Sequence, residues 1–282
     1  MKRIAVLTSV RNGDRFIGRW IEHYGALFGR ENLYVAFDGM EQTLPASQGG
    51  APDWGVNVLN FKHVAYSRQK GDRMRAARAS EIAGDLFRGY DMVIGTDIDE
   101  FLVLDPNVPE GMAAYLSSRP VKTSLSALGV DVARHTALEG PLDWGAPFLG
   151  QRQFGMLSDR YTKACILMQP ARWGSGFHRV KGQGFTIDPN LFLFHFGSVD
   201  TSEITGRMED KERIAAGWSA HQKRRGSVSE EITSATALEG DSRFATARAS
   251  LSRARSLIAW NKPRPLMQDR VVKIPSRFHG IV

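Results

Sequence analysis

The chain carries a single cysteine, Cys165, in 282 residues. It can form no internal disulfide and no cysteine metal cage, which fits a reducing compartment. Long apolar runs are missing as well. The run near the start, Ile4–Val10, is followed at once by Arg11 and Asp14. It is too short for a transmembrane helix and lacks the cleavage site of a signal peptide. These absences predict a cytoplasmic protein. There is no internal repeat and no low-complexity tract. What remains is an ordinary globular composition, 42% apolar and 24% charged, in a chain long enough to bury a full core.

The net charge of +7 is unevenly spread: from Glu203 onward there are 15 Lys and Arg against 9 Asp and Glu. A basic region of this kind can meet nucleic acid, an anionic membrane surface or an anionic acceptor, or it can be a solvated helical face.

The first half of the chain alternates strand with helix. Ile4–Val10 reads as a buried strand, and Asn12-Gly13-Asp14 as a turn with Asp14 the N-cap of the next helix. Phe16, Ile17, Trp20, Ile21, Tyr24, Leu27 and Phe28 recur at helical spacing up to a stop at Gly29. Leu33–Phe37 and Val56–Phe61 read as strands, with a loop over Gln42–Gly55 between them. A basic segment (Arg68, Lys70, Arg73, Arg75, Arg78) then leads into a helix ending near Phe87. After Pro109 a short helix precedes β-rich stretches at Thr123–Val132, Pro147–Met156, Lys163–Met168 and Gly184–Phe196. From Thr201 the pattern is helical to about Trp260, and a basic, proline-containing tail follows. The alternation predicts an α/β fold with a mainly parallel central sheet. Ligands in such sheets sit beyond the carboxyl ends of the strands, where Asn12, Asp38 and Asp97 fall.

The organising stretch is Tyr90–Leu104, an apolar run that breaks into Thr96-Asp97-Ile98-Asp99-Glu100-Phe101. Read as extended chain, Asp97 and Asp99 share one face while Ile98 returns to the core. Two carboxylates at a strand end can hold a divalent cation, and that cation can hold a diphosphate. Oxygen ligands suit Mg2+ or Mn2+.

Three pieces in order resemble a known family. They are the opening strand with its Val10-Arg11-Asn12 turn and Trp20-Ile21-Glu22-His23-Tyr24 helix, the Asp97-Ile98-Asp99-Glu100-Phe101 box, and His195-Phe196. Together they look like the bacterial family 2-like glycosyltransferases with the glycosyltransferase-A fold. Lys163 and Gly176-Phe177-His178-Arg179 fit further parts of that pattern. The first turn departs from it, with Gly13 and Asp14 in place of the usual acid, and only Asp38-Gly39 remains of the second strand's acidic turn. The resemblance implies a Rossmann-like glycosyltransferase-A sandwich over residues 1–200, with a nucleotide-sugar half at 1–108, an acceptor half at 109–200, and a basic helical extension over 201–282.

It also implies an activity: metal-dependent transfer from a nucleotide diphosphate sugar, a UDP-sugar first, to a saccharide or lipid-linked acceptor. Inversion and a place in surface polysaccharide synthesis come with it. Asp97 and Asp99 are then the metal ligands, Asp97 also lying near the ribose, with His195 as third ligand and His178 its competitor. Glu100 orients the metal shell or meets the acceptor. Thr8, Asn12 and Asp38 face the nucleoside, and Arg68, Lys70 and Arg73 the diphosphate. Asp159 is the candidate general base, with Asp143 as alternative and a salt bridge to Arg160 or Lys163 as its structural reading. Trp144, Phe154 and Trp173 are sugar platforms or buried packing. The basic C-terminal region could touch an anionic membrane at its inner face, and no nucleic-acid partner is expected. Two other classes stay open: a haloacid-dehalogenase-type phosphotransferase, in which the first Asp is a nucleophile, and a non-catalytic sugar-nucleotide-binding module.

Overall fold

A computed structural model of the protein describes residues 1–46, 54–120, 123–200, 219–253 and 261–282. Its N-terminal half is a parallel sheet of four strands in the order β3-β2-β1-β4. They are β1 (Ile4–Val10), β2 (Leu33–Asp38), β3 (Asn57–Phe61) and β4 (Met92–Gly95). Each neighbouring pair is parallel, with Thr8 beside Val35 and Leu7 beside Gly95. A strand covered on both faces is apolar along most of its length, and β1 shows why. Val6 and Val10 pack with Phe16, Trp20 and Tyr24 of helix α1 (Asp14–Phe28), while Leu7 packs on the opposite face with Ala79 and Ala83 of α2 (Arg68–Leu86). Each large side chain so buried contributes about 2 kcal/mol.

The two helices differ in what they bury. Helix α1 presents aromatics, whereas the buried residues of α2 are Ala76, Ala79 and Ala83. Alanines let α2 lie close to the sheet, and the arginines flanking that narrow stripe reach the carboxyl ends of the strands. The N-cap of α1 is Gly13, not Asp14. The Gly13 carbonyl accepts from Phe16 (3.1 Å) and Ile17 (3.2 Å), and a side chain there would run into Val10 and Ile98.

Beyond the acidic box the sheet becomes mixed. Strand β5 (Glu100–Leu104), which the sequence patterning does not separate from β4, pairs antiparallel with β9 (Ile187–Ser198). The long β6 (Ser124–Ala133) joins the halves. Its first residues pair with β8 (Ile166–Leu167), which lies antiparallel to β4, and its later residues pair with β9 and with β7 (Phe154–Leu157). Of the predicted strand Pro147–Met156 only the end is extended; the chain turns over Phe148–Gln151, with Gly150 at φ 112°. The architecture is therefore the expected α/β sandwich, parallel through its N-terminal half.

Of the predicted C-terminal helices, Ser219–Ser234 and Gly240–Arg253 are present; residues 201–218 and 254–260 lie outside the described residues, as do 47–53 of the predicted loop. The same region also feeds the sheet. Strand β11 (Val271–Lys273) pairs antiparallel with β7 and parallel with β10 (Leu238–Glu239). Phe278 stacks edge-on against Phe192 and Phe194 at 5.0 and 5.4 Å. Among the described residues no helix is long and apolar enough to cross a membrane.

The segment Ser158–Lys163 crosses β6 at Gly129, whose carbonyl accepts from Ser158 and whose N–H donates to Thr162 Oγ1 (2.9 Å). A Cβ on Gly129 would lie 2.6 Å from Tyr161 Cβ and closer still to the backbone of Tyr161 and Thr162. Gly129→Ala is therefore expected to cost about 3 kcal/mol through overpacking, read as a lowered Tm; an unchanged melt would show that the crossing is not tight.

Candidate functional site

Strand β4 ends in the middle of the sheet, and the acidic box turns at once. The Glu100 N–H donates to the Asp97 carbonyl (3.1 Å), and the Asp97 N–H donates to Glu100 Oε2 (2.9 Å). This is a β-turn closed by a side chain, so the extended alternation predicted for Asp97 and Asp99 does not hold. The surrounding core pins the turn. Thr96 N–H donates to the Leu7 carbonyl (3.1 Å), Trp20 Nε1–H to Thr96 Oγ1 (3.0 Å), Tyr24 O–H to the Glu100 carbonyl (3.1 Å) and Phe196 N–H to the Asp99 carbonyl (2.9 Å).

The turn sends its acids to two different cations. Asp97 meets Lys163, whose Nζ lies 3.1 Å from Asp97 Oδ2, 2.6 Å from Glu100 Oε1 and 2.8 Å from the Gly176 carbonyl. Burial alone would lower the Lys163 pKa, but Asp97 and Glu100 outweigh it and hold the ammonium charged. Burial likewise works against the Asp97 carboxylate, yet Lys163 keeps its pKa below the ordinary range, with Asp99 opposing and Arg75 assisting. Glu100 is fully buried. It therefore orients the turn and does not reach an acceptor.

Asp99 faces His195 on β9, Oδ2 to Nε2 at 3.5 Å, while His195 Nδ1 lies 2.7 Å from Asp131 Oδ1 on β6. The register dictates this meeting, since His195 stands opposite Glu100 and beside Asp131. Tyr161 stacks on the imidazole at 3.8 Å between centroids. Burial disfavours the imidazolium, but Asp131 and Asp99 lift the pKa to about 9. Asp131 was missed by the sequence patterning. Its signal is a lone acid among apolar neighbours in a buried strand, which demands a partner.

The remaining candidates separate. Asp38, at the end of β2, is held by His63 (3.1 Å) and Arg78 (3.3 Å). Asn12 sits at φ 52° and trades amide bonds with Gln42 (2.9 and 3.1 Å), which closes the first turn onto the second. The Thr8 side chain is fully buried in the sheet, its hydroxyl without a hydrogen-bond partner among the described residues, so it does not face a nucleoside. Arg73 lies on the exposed side of α2, bonded to the Gln69 carbonyl. Arg75 pairs with Asp72 on its own helix and adds a smaller favourable charge for Asp97, while Arg78 reaches Asp38. Lys163 bonds the acidic box and not Asp159. Asp159 stays on the same crossing segment, its pKa raised by burial against the pull of Arg160. Asp143 accepts the Gly145 N–H (2.8 Å), a turn contact. Trp173 is buried against Phe177 and is packing, not a platform. His178 bonds the Arg160 carbonyl through Nδ1 (2.8 Å), and burial with the Lys163 charge lowers its pKa to about 4, leaving it a neutral imidazole.

Among the described residues no group of three or more His, Cys, Asp and Glu side chains is set as a metal cage. Asp97, Asp99 and His195 are neighbours, but their facing atoms are spent on one another and on Lys163. The donor set still suits a hard divalent cation. Asp97 keeps 46% of its side chain exposed while Lys163 keeps 1%. Asp97, Asp99 and Asp131 stand against Lys163 and His195, and burial pushes the pKa of the fourth acid, Glu100, up to about 7; the excess of acids is what a divalent ion would neutralise. The oxygen donors fit Mg2+ or Mn2+.

The His195 pairing has a pH signature. Its folded pKa of about 9 exceeds the ordinary value of 6.5. The stabilisation it gives the metal-free protein is complete below about pH 6.5 and is lost as pH rises through about 9. An NMR titration should place the His195 midpoint near the upper value, and Asp131→Asn should lower it by more than about one unit. A midpoint near 6.5 in the parent protein would contradict the double pairing.

No protein-family model and no curated protein matches the chain. Among solved structures it is similar to the mannosyltransferase PcManGT from Pyrobaculum calidifontis in complex with GDP-Man and Mn2+, at 12% identity over 88% of this chain and 80% of that one, with a TM-score of 0.37. It is also similar to the mannose-1-phosphate geranyltransferase from Thermus thermophilus, at 10% identity over 97% and 74% of the two chains, with a TM-score of 0.29.

Proposed function

We propose that the protein transfers a sugar from a nucleotide diphosphate sugar, with a divalent cation held at Asp97 and Asp99. The observation that carries this reading is the acidic turn at the carboxyl end of the central strand, with more carboxylates than its own cations neutralise. Bound there, the ion would supply Lewis-acid stabilisation of the departing diphosphate.

The protein's own residues supply the rest. Glu100, tied to the Asp97 N–H and to Lys163, keeps the turn in shape. Asp131 orients His195 toward Asp99 from behind, as a carboxylate behind a ligating imidazole does. Arg75, paired with Asp72 on α2, adds positive charge near Asp97 and is the candidate to meet a diphosphate, a role the sequence assigns to Arg68, Lys70 and Arg73. Asp38, with His63 and Arg78, and the Asn12–Gln42 pair border the nucleoside side at the neighbouring strand ends. Asp159 is the general base of an inverting transfer: it lies on the segment that delivers Tyr161 and Lys163, and burial raises its pKa toward that task. The acceptor is a saccharide or a lipid-linked saccharide, and the donor a UDP-sugar, in the assembly of a surface polysaccharide.

Nucleotide-sugar hydrolysis measured with and without Mn2+ tests the class. Metal-dependent release of UDP or GDP is the expected result; hydrolysis of a generic phosphomonoester with no response to sugar nucleotides would make the chain a phosphotransferase. Asp99→Ala should weaken Mn2+-dependent UDP binding by about a hundredfold with an unchanged circular dichroism spectrum. Binding equal to that of the parent would remove the metal from this turn.

A further inference from the structure

The Lys163 ammonium stands where the metal reading needs negative charge to be free. It is 1% exposed and takes Asp97 Oδ2, Glu100 Oε1 and the Gly176 carbonyl together, all within 3.1 Å. Asp99 is meanwhile turned to His195. A cation arriving alone must draw Asp97 away from a lysine already in hydrogen-bond contact. It must then rest one carboxylate away from that positive charge.

We infer that Lys163 is an internal counter-cation that makes metal binding conditional on the diphosphate. Resting on the transfer reading above, this assigns the order in which the site fills. Alone, Mn2+ is opposed by Lys163. With a nucleoside diphosphate, the phosphate charges offset the ammonium, and metal and nucleotide bind as a unit. Metal entry requires only one of the three Lys163 contacts to be given up. Glu100 and the Gly176 carbonyl keep the ammonium in place, and with it the tip of the segment Trp173–Val180. That segment is closed on itself by a bridge between those two residues and by the Gly174 N–H on the Arg179 carbonyl (2.8 Å). Its tip holds Gly176 at φ 62° and Phe177 at φ 59°. A bulky residue in the left-handed region is held there by its surroundings, and the Lys163 contact on the Gly176 carbonyl is part of that hold. Lys163 is thus a positioning residue for both the acidic turn and the His178 segment.

Linkage makes the inference measurable, because whatever UDP does to Mn2+ affinity, Mn2+ must do to UDP affinity. Mn2+ titration by electron paramagnetic resonance, with and without UDP, is the experiment. In the parent protein UDP should tighten Mn2+ by at least about tenfold. Lys163→Met keeps the stem and removes the charge, so it should tighten Mn2+ in the absence of UDP by about tenfold and shrink the coupling by the same factor. Lys163→Arg should restore the coupling. A role in stability alone would lower Tm and leave Mn2+ affinity unmoved, and that outcome overturns the inference. So does equal Mn2+ affinity of the parent with and without UDP, which needs no variant and holds even if Lys163→Met fails to fold. Absence of any Mn2+ binding with UDP present would instead overturn the transfer reading itself, and the inference with it.

Discussion

The buried contact between the Lys163 ammonium and the carboxylates of Asp97 and Glu100 is the constraint on which the site rests. Removing charges of this kind from water costs several kcal/mol for each ion, and only close pairing offsets it. The ammonium therefore forces its surroundings to supply acids, and the acids force the chain to bend. Glu100 reaches back to the Asp97 N–H, the box closes into a turn, and β5 leaves in a new direction to pair with β9. That pairing carries His195 to Asp99, and the pairing of β9 with β6 carries it to Asp131. One buried cation thus links the parallel half of the sheet to the mixed half.

The two halves contribute different things. From the parallel half come strand ends: the Asn12 turn after β1, Asp38 after β2, the acidic turn after β4. From the mixed half come the partners: Lys163 and Tyr161 on the segment that crosses Gly129, His195 on β9, Asp131 on β6. Helix α2, thin because its buried stripe is alanine, brings Arg75 and Arg78 across the strand ends. The aromatic face of α1 holds the turn from the other side through Trp20 and Tyr24. The centre carries more acids than cations, which a divalent ion would offset.

Much of this could be read from residues in order. The alternating apolar runs from Ile4 to Ile94 locate four strands and two helices within about two residues, because strands buried on both faces leave a continuous apolar signature. The position of the acids beyond β4 was legible for the same reason. Their geometry was not. Residue alternation presumes an extended chain, and the reciprocal bonds of Asp97 and Glu100 fold it into a turn. Nor could local pattern separate the exposed Arg73 from the half-buried Arg75, because both sit in the same basic run. Asp131 was hidden by a partner 64 residues away, and strand β11 by its brevity, three residues in a basic tail. Non-local pairing escapes a reading that runs along the chain.

The proposed transfer stands on a cation shared by Asp97 and Asp99 when the donor is present. Crystals soaked with Mn2+ and UDP, with data collected at the manganese absorption edge, test it directly. An anomalous peak within ligand distance of both carboxylates and of the UDP phosphates, with Asp97 drawn off Lys163, is the predicted result. UDP bound with no peak at the turn, and Lys163 still holding Asp97, would contradict it.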